Sequence, residues 1–206
     1  MRYSLPFTDC DMQQVRSMFE TNVFGPMTMV QQFIPFLIAG GDGLIVNIGS
    51  VVATVPLPFG ATYSAAKGAL HSFGNTLRVE LAPFNIKVTT VITGGVKSNV
   101  SAPQHRYQLP SNSLYLPMKE DFLSKRQGNS QKSAMDTDAY ARSIVASTIK
   151  PSPEPWLWQG KSSYLVWFID TFWPRSKLYD ANMAKRFGLD KFKRVIDLQK
   201  KGAKMY

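Results

Sequence analysis

Two short apolar runs, separated by an amphipathic segment, constrain this fold more than any other feature of the sequence. Leu44 to Ile48 and Ile86 to Ile92 are rich in β-branched residues and short enough to be buried strands. The segment between them carries apolar residues at three- and four-residue steps, as in a helix ending at Pro83. A strand, a helix and a second strand in this order predict a right-handed crossover in a parallel sheet. The chain is therefore predicted to be an α/β protein.

Three polar side chains fall near the end of the first strand and the start of this helix. Ser50 follows the strand, and Tyr63 and Lys67 are four residues apart, one turn apart on one helix face. A cation beside a phenol favours the phenolate and lowers the tyrosine pKa, as a general acid requires. A serine hydroxyl can hold a substrate oxygen while the proton moves. These residues are predicted to act together on a carbonyl group, although a Y-x-x-x-K pair alone usually marks an exposed helix face.

An upstream helix carries one further polar candidate. Its apolar residues step by three or four over residues 12–34, and Thr8 and Asp9 are its candidate N-caps. Gly25-Pro26 interrupts the pattern, because a proline has no N–H to give the carbonyl of Asn22. Two interpretations stay open: the interruption is a simple kink, or it leaves the Asn22 carbonyl to hold a water molecule.

Asn22, Ser50, Tyr63 and Lys67 resemble the Asn-Ser-Tyr-Lys tetrad of the short-chain dehydrogenase/reductase family. Asn22 precedes Ser50 by 28 residues, close to the family's usual separation. The later stretch VTTVITGGVKSNV is similar to the family's P-G-x-V-x-T segment: Thr93 stands for the proline, Gly94 and Val96 match, and Ser98 replaces the threonine. The stretches FETNVFG, NIGSV and ITGGVKSN most resemble the 1-acyldihydroxyacetone-phosphate reductase-like branch, whose relatives include fungal biosynthetic ketoreductases.

The resemblance implies a Rossmann-like doubly wound parallel sheet and an NAD(P)-dependent oxidoreductase. Such an enzyme reduces a ketone, or oxidises a secondary alcohol, by hydride transfer with Tyr63 as proton donor. Lys67 would also bind the nicotinamide ribose, Ser50 would orient the carbonyl, and Asn22 would hold a relay water. The implied cofactor-binding residues are Asn22, Tyr63, Lys67, Gly94, Val96 and Ser98. NADP is the expected coenzyme, with NAD open, and the expected substrate is a lipid-like or secondary-metabolite small molecule.

One family motif has no counterpart among the fourteen glycines. The family's coenzyme binds a glycine-rich turn, T-G-x-x-x-G-x-G, between a first strand and a helix. Residues 40–43 (GGDG) follow a helix and precede a strand, so they are predicted to be a plain turn. The domain is therefore expected to be N-terminally truncated, without its cofactor-binding half. A non-catalytic remnant that cannot bind coenzyme is the alternative.

We divide the chain into four parts. They are a catalytic half over 1–100, a substrate-lid region over 101–135, C-terminal helices over 136–190 and a basic tail over 191–206. The lid prediction rests on a long polar, irregular stretch, for which a surface insertion is the alternative. Asp136 or Thr137 is predicted to cap a helix, followed by a last strand at residues 156–158 and an aromatic helix over 162–172.

Charge, cysteine and histidine content bear on whether disulfides, a metal site or a nucleic-acid partner is expected. The net charge is +10, and residues 174–206 contribute ten Lys/Arg against three Asp, so this C-terminal segment supplies +7 of the excess. One cysteine allows no internal disulfide, and two histidines without a second cysteine predict no metal site. His71 is expected to be a packing or surface residue. The tail contains no recognised nucleic-acid-reading motif, so nucleic acid is not an expected partner.

The distribution of apolar residues along the chain predicts where the protein is located. The start lacks the apolar core of a signal peptide, and no apolar run reaches about 20 residues, so a cytoplasmic protein is predicted. Aromatic residues over 156–173 before the basic tail favour, as an alternative, peripheral contact with an intracellular membrane. Small residues on the Tyr63 helix leave cofactor room, helix packing and a homodimer interface open, with packing preferred.

Overall fold

The computed structural model describes residues 4–99, 108–127, 133–173 and 175–203. Three strands form one parallel sheet in the order β1 (Gly43–Ile48), β2 (Ile86–Thr93), β3 (Trp156–Gln159). Ile48 pairs with Val91, and Thr90 pairs with Trp156. The parallel α/β fold predicted from the sequence is confirmed.

Helices account for most of the remaining described residues. They are α1 (Met12–Phe19), α2 (Gly25–Gly40), α3 (Ala61–Glu80), α4 (Lys119–Phe122), α5 (Thr137–Thr148), α6 (Ser163–Phe172), α7 (Arg175–Phe187) and α8 (Leu189–Ala203). A π-helical turn, Glu20–Phe24, joins α1 to α2 without a break. A second π turn, Leu123–Gln127, follows α4, and short 3₁₀ turns occur at Phe7–Asp9, Val51–Ala53, Ala82–Phe84 and Leu116–Met118.

The sheet is covered on both faces. Successive residues of a strand point to opposite faces. Ile45 of β1 packs with α2 and α3 on one face, and its neighbour Val46 packs with α5 on the other. The doubly wound arrangement is therefore confirmed.

The N-terminal helix differs from prediction in two respects. Thr8 and Asp9 lie within a 3₁₀ turn, and the N-cap is Asp11, whose extended backbone lets its carboxylate accept from Gln13 N at 2.8 Å. Residues Met12–Gly40 form a continuous 29-residue helical stretch that is long and apolar enough to cross a membrane. The sequence prediction did not include it, because polar residues interrupt its apolar run. Core helices of soluble proteins and signal sequences meet the same criterion.

The predicted lid region contributes to the core where it is described. Phe122 of α4 is fully buried and contacts Phe59 edge-on, with 5.3 Å between ring centroids. Phe59 makes the same kind of contact with Tyr115 and with Phe187 of α7. Residues 108–127 are therefore not a simple surface insertion. Residues 100–107 and 128–132 lie outside the described residues, and a lid role stays a prediction.

The helix, strand and aromatic helix predicted after residue 135 are present close to their predicted positions. Asp136 caps α5 by accepting from the backbone N–H groups of Asp138 and Ala139. The predicted basic tail is helical as far as Ala203, and its Phe192 packs against Tyr115. Residues 204–206 lie outside the described residues.

Candidate active site

Ser50 lies two residues beyond β1, in a backbone segment held from two sides. Gly49 N donates to Val91 O of β2 at 2.8 Å, and Ser50 N donates to Nε2 of His71 on α3 at 3.1 Å. The Ser50 hydroxyl accepts from Val52 N at 3.3 Å. The hydroxyl is thereby placed at the carboxyl end of a parallel strand, where ligands bind in open α/β sheets.

Tyr63 and Lys67 lie on the first turns of α3, as the four-residue spacing predicts. The Lys67 ammonium is 5.9 Å from the centroid of the Tyr63 ring and donates to Ile48 O at 2.9 Å. Burial lowers the pKa of Lys67. Within the described part of the chain Ile48 O is its only hydrogen-bond partner, so two of its three N–H groups are available to a ligand. The ammonium therefore joins the tyrosine helix to the strand that precedes Ser50.

His71 is the part of this site that the sequence prediction missed. It is buried, and its ring meets Trp156 of β3 edge-on at 5.6 Å. Burial, and secondly the nearby charge of Lys67, lower the pKa of His71 to about 4. The ring is therefore neutral near pH 7. The available signal was spacing, since His71 follows Lys67 by four residues and so continues the face of Tyr63 and Lys67.

Asn22 lies inside the π turn between α1 and α2. It is buried, and its side-chain Nδ2 donates to Met18 O at 2.9 Å. Gly25 N donates to Glu20 O, and Pro26 follows without an N–H. The interruption is thus a π turn, a feature that occurs frequently at functional sites. The relay water stays a prediction.

Gly94, Val96 and Ser98 continue from the carboxyl end of β2, beside the strand that precedes Ser50. Gly94 N donates to Gln159 O at 2.7 Å, and a Cβ at this position would lie 2.2 Å from Lys161 O. Val96 forms a bridge with Met135, and Ser98 is exposed. The glycine at 94 is therefore explained by close backbone packing. Nicotinamide contact by these three residues stays a prediction.

Two cavities flank this region. The smaller, about 430 Å³, is bounded by Val51, Val52 and Val55 of the segment between Ser50 and Tyr63, and by α6 and α7. Its walls are mainly apolar, with Arg186 as the one charged residue among its described lining side chains. The larger, about 620 Å³, lies between α1 and the start of α3. The lining of the smaller cavity includes the residue after Ser50, and that of the larger includes Thr62, the residue before Tyr63.

Known proteins are similar to this chain over most of its length. A family model for short chain dehydrogenases matches residues 2–108. Short-chain dehydrogenase srdE of Neurospora crassa is 40% identical over 95% of this chain and 66% of its own length. An NADPH-dependent 1-acyldihydroxyacetone phosphate reductase of Saccharomyces cerevisiae is 32% identical over 96% of this chain and 66% of its own length. The chain thus spans about two thirds of these curated relatives.

The fold agrees with a solved structure. A short-chain dehydrogenase from Streptomyces avermitilis superposes with a TM-score of 0.69 at 24% identity, covering 95% of this chain and 67% of the other. Together with the family match over residues 2–108, these relatives establish that the chain belongs to the short chain dehydrogenase family.

Proposed function

We propose that this chain supplies the catalytic residues of an NAD(P)-dependent oxidoreductase, which reduces a ketone or oxidises a secondary alcohol with Tyr63 as proton donor. One observation carries the proposal. The Lys67 ammonium lies beside the Tyr63 ring and donates to Ile48 O, two residues before Ser50. The cation thus links the ring of the proposed acid to the strand end that precedes Ser50, which supports a common role for the three side chains.

Each side chain has a distinct role in this proposal. The ammonium of Lys67 stabilises the phenolate that forms when Tyr63 gives its proton to the substrate oxygen. The Ser50 hydroxyl donates a hydrogen bond to that oxygen and so orients the carbonyl. Asn22, buried in the π turn, would hold a water through which a proton is returned from solvent. This last role depends on a water that the π turn and the family resemblance favour.

The residues present suit one end of the coenzyme. When bound, a nicotinamide coenzyme supplies or accepts the hydride. The two available N–H groups of Lys67 suit ribose hydroxyls, and Tyr63, Asn22, Gly94, Val96 and Ser98 complete the proposed nicotinamide side. For the pyrophosphate, the sequence contains no glycine-rich turn between a strand and a helix. The name of the yeast relative supports NADP as the coenzyme.

The cavity beside Ser50 supports an apolar substrate. Val52 and Val55 line it together with Val166 and Ile169 of α6. A volume of about 430 Å³ falls within the range of small-molecule sites. We therefore propose a lipid-like or secondary-metabolite ketone, with its carbonyl directed to Ser50 and its apolar part in this cavity.

The test compares two tyrosine substitutions. Tyr63→Phe removes the proposed acid, whereas Tyr164→Phe removes an exposed hydroxyl on α6 and serves as the matched control. We expect carbonyl-dependent NADPH oxidation to fall by roughly a hundredfold or more in Tyr63→Phe and to stay unchanged in Tyr164→Phe. Equal rates in wild type and Tyr63→Phe would remove Tyr63 from the mechanism.

Coenzyme titration distinguishes a catalytic chain from a non-catalytic remnant. Saturable NADPH binding at micromolar concentration, weakened by Lys67→Met, supports the enzymatic proposal. If the wild-type chain neither binds NADPH nor turns over substrate, the result favours the non-catalytic remnant. The Tyr63→Phe comparison applies only if the wild type turns over.

A second candidate function, peripheral membrane contact in the cytoplasm, is favoured by the surface of α6. Tyr164, Phe168 and Phe172 of this helix are exposed, as is Trp173 after it, and the strongly basic C-terminal segment follows. Exposed aromatic rings beside clustered cations suit the interface of an anionic membrane.

Vesicle sedimentation tests this second function with a matched pair. Phe168 and Phe84 are each 50% exposed, but only Phe168 lies on α6. Binding to vesicles containing phosphatidylserine should weaken in Phe168→Ser and not in Phe84→Ser, and it should fall with added salt. Equal partitioning of the two variants would contradict membrane contact through α6.

A further inference from the structure

Helix α3 contacts the end of β1 through two polar side chains on successive turns. Lys67 donates to Ile48 O at 2.9 Å, and His71 accepts from Ser50 N at 3.1 Å. Between them, Gly49 N donates to Val91 O of the neighbouring strand. Three consecutive residues are thus each hydrogen-bonded to a different partner, and the last of them carries the hydroxyl assigned to the substrate.

We propose that His71 is a positioning residue, whose neutral imidazole accepts the Ser50 backbone N–H and thereby fixes the Ser50 hydroxyl relative to Tyr63 and Lys67. The catalytic consequence rests on the function proposed above. The positional part concerns only the free protein and can be tested without turnover.

A side-chain acceptor is needed at this point because the regular ladder ends. β1 stops at Ile48, and Val91 O, its last neighbouring acceptor, is occupied by Gly49 N. Ser50 is buried, and an unpaired buried N–H costs as much as a lost hydrogen bond. His71 supplies the acceptor from a position 21 residues later in the chain. The turn that carries Ser50 therefore depends on a side chain of the tyrosine helix.

The surroundings of the ring restrict its position and favour its neutral form. A Cβ at residue 49 would lie 2.2 Å from Nε2 of His71, so only glycine fits beneath the imidazole. Trp156 contacts the ring from β3. An imidazolium would have a proton on Nε2, so it could not accept from Ser50 N, and it would repel the Lys67 ammonium. Burial and Lys67 both favour the neutral form, which is the form that accepts.

The test uses two neutral amides of different reach. In His71→Gln the side-chain oxygen extends about as far as Nε2 and can accept from Ser50 N. In His71→Asn the side chain is one methylene shorter and cannot reach it. Because both replacements are polar and uncharged, general effects of losing the histidine are shared. Any difference between the two variants reports the acceptor at Ser50.

The first readout is spectroscopic and uses the full wild-type chain and both variants. Nitrogen NMR of the imidazole should show the proton on Nδ1 and a bare Nε2 at pH 7. Hydrogen exchange at the Ser50 amide should be slow in wild type and His71→Gln, and about tenfold faster in His71→Asn. A proton on Nε2, or equal Ser50 exchange in all three proteins, would overturn the proposal.

The second readout is kinetic and applies when the wild-type chain turns over. We expect His71→Asn to lower kcat by roughly tenfold to a hundredfold with KM near wild type, and His71→Gln to restore most of the rate. Equal kcat in the two variants would overturn the catalytic role even if Ser50 exchange differs. An inactive wild type would count against the proposed function alone, since the exchange experiment still decides the positional claim.

Discussion

Helices α2 and α3 pack on the same face of the sheet, yet they are attached to it in different ways. Six residues of α3 are buried, including Thr62 and His71, and Lys67 and His71 form hydrogen bonds with the backbone around Ser50. No side chain of α2 is fully buried. Its contacts with the sheet come from partly buried Val30, Ile34 and Leu37.

The two helices differ in the kind of contact that they make with the sheet, and the proposed catalytic residues Tyr63 and Lys67 lie on α3. Apolar side chains alone hold α2 against β1, and its other side exposes Met29, Phe33 and Phe36. On α3, near the carboxyl ends of the strands, Lys67 and His71 form hydrogen bonds with backbone atoms that are not paired within the sheet. A helix held by directional contacts keeps its side chains in fixed positions, as catalysis requires. Changes on α3 should therefore affect function or stability far more than changes on α2.

The largest effect is expected from Lys67→Met, which removes the ammonium while keeping a side chain of similar length. Loss of the charge beside Tyr63 should lower kcat by about a hundredfold or more. The fold should survive, because a buried charge is replaced by an apolar group. Steady-state NADPH oxidation and thermal unfolding measure the two effects. Lys150→Met, at an exposed position after α5, is the control, and an unchanged kcat in Lys67→Met would contradict the role of the ammonium.

The pH dependence of stability tests the second contact of α3. Burial, and secondly the charge of Lys67, lower the pKa of His71 from 6.5 to about 4 in the folded protein. Between these values the unfolded chain carries more protons, so the free energy of unfolding should fall as the pH drops from 6.5 to 4. The expected contribution is about 2 kcal/mol lost at pH 5 and about 3 kcal/mol at pH 4. Urea unfolding of wild type and His71→Gln measures it.

Replacement by glutamine removes the titrating group, so this part of the pH dependence should be absent in the variant. The remaining titratable groups are the same in both proteins, so the difference between the two curves isolates His71. Parallel curves for wild type and His71→Gln between pH 7 and 5 would show that the ring is not buried as a neutral group.

Local patterns in the sequence predicted most of this arrangement. The strand–helix–strand unit and the shared face of Tyr63 and Lys67 follow from spacing over a few residues, and the structure shows both. Spacing also places His71 on this face, but it does not show that the ring accepts the backbone N–H of Ser50, 21 residues away across a tertiary contact. The N-cap was misplaced for a related reason: Thr8, Asp9 and Asp11 are all suitable caps, and only the preceding 3₁₀ turn decides between them.

The sequence predicted no conformation for the basic segment at the C-terminus. The lysines and arginines after residue 190 define it only by charge, and in the structure helix α8 extends through it to Ala203. Phe192 of this helix packs against the rest of the protein through its contact with Tyr115 in the predicted lid region. A single aromatic residue among many cations is weak evidence in a sequence, because its partner lies more than 70 positions earlier.

Glycine substitutions within α3 give an intermediate effect. A Cβ at Gly74 would lie 2.7 Å from Oγ1 of Thr90 and 2.8 Å from Nδ2 of Asn47, both buried on the strands. Gly74→Ala should therefore lower the free energy of unfolding by about 1–3 kcal/mol. Gly68→Ala in the same helix is the matched control, because nothing lies within 4 Å of its Cβ. Urea unfolding compares them, and equal stability of the two variants would contradict close packing of α3 on β1 and β2.

The smallest effect is expected on α2, and it should have the opposite sign. Gly40 ends this helix with nothing within 4 Å of an added Cβ, and its φ is not positive. Alanine there loses less backbone entropy on folding and clashes with nothing, so Gly40→Ala should raise the free energy of unfolding by about 0.5–1 kcal/mol. Urea unfolding beside Gly74→Ala measures this directly. The chemical change is identical in both helices, so changes of opposite sign in the free energy of unfolding would attribute the difference to packing against the strands. Destabilisation by Gly40→Ala would instead show that α2 is held more tightly than its exposed side chains indicate.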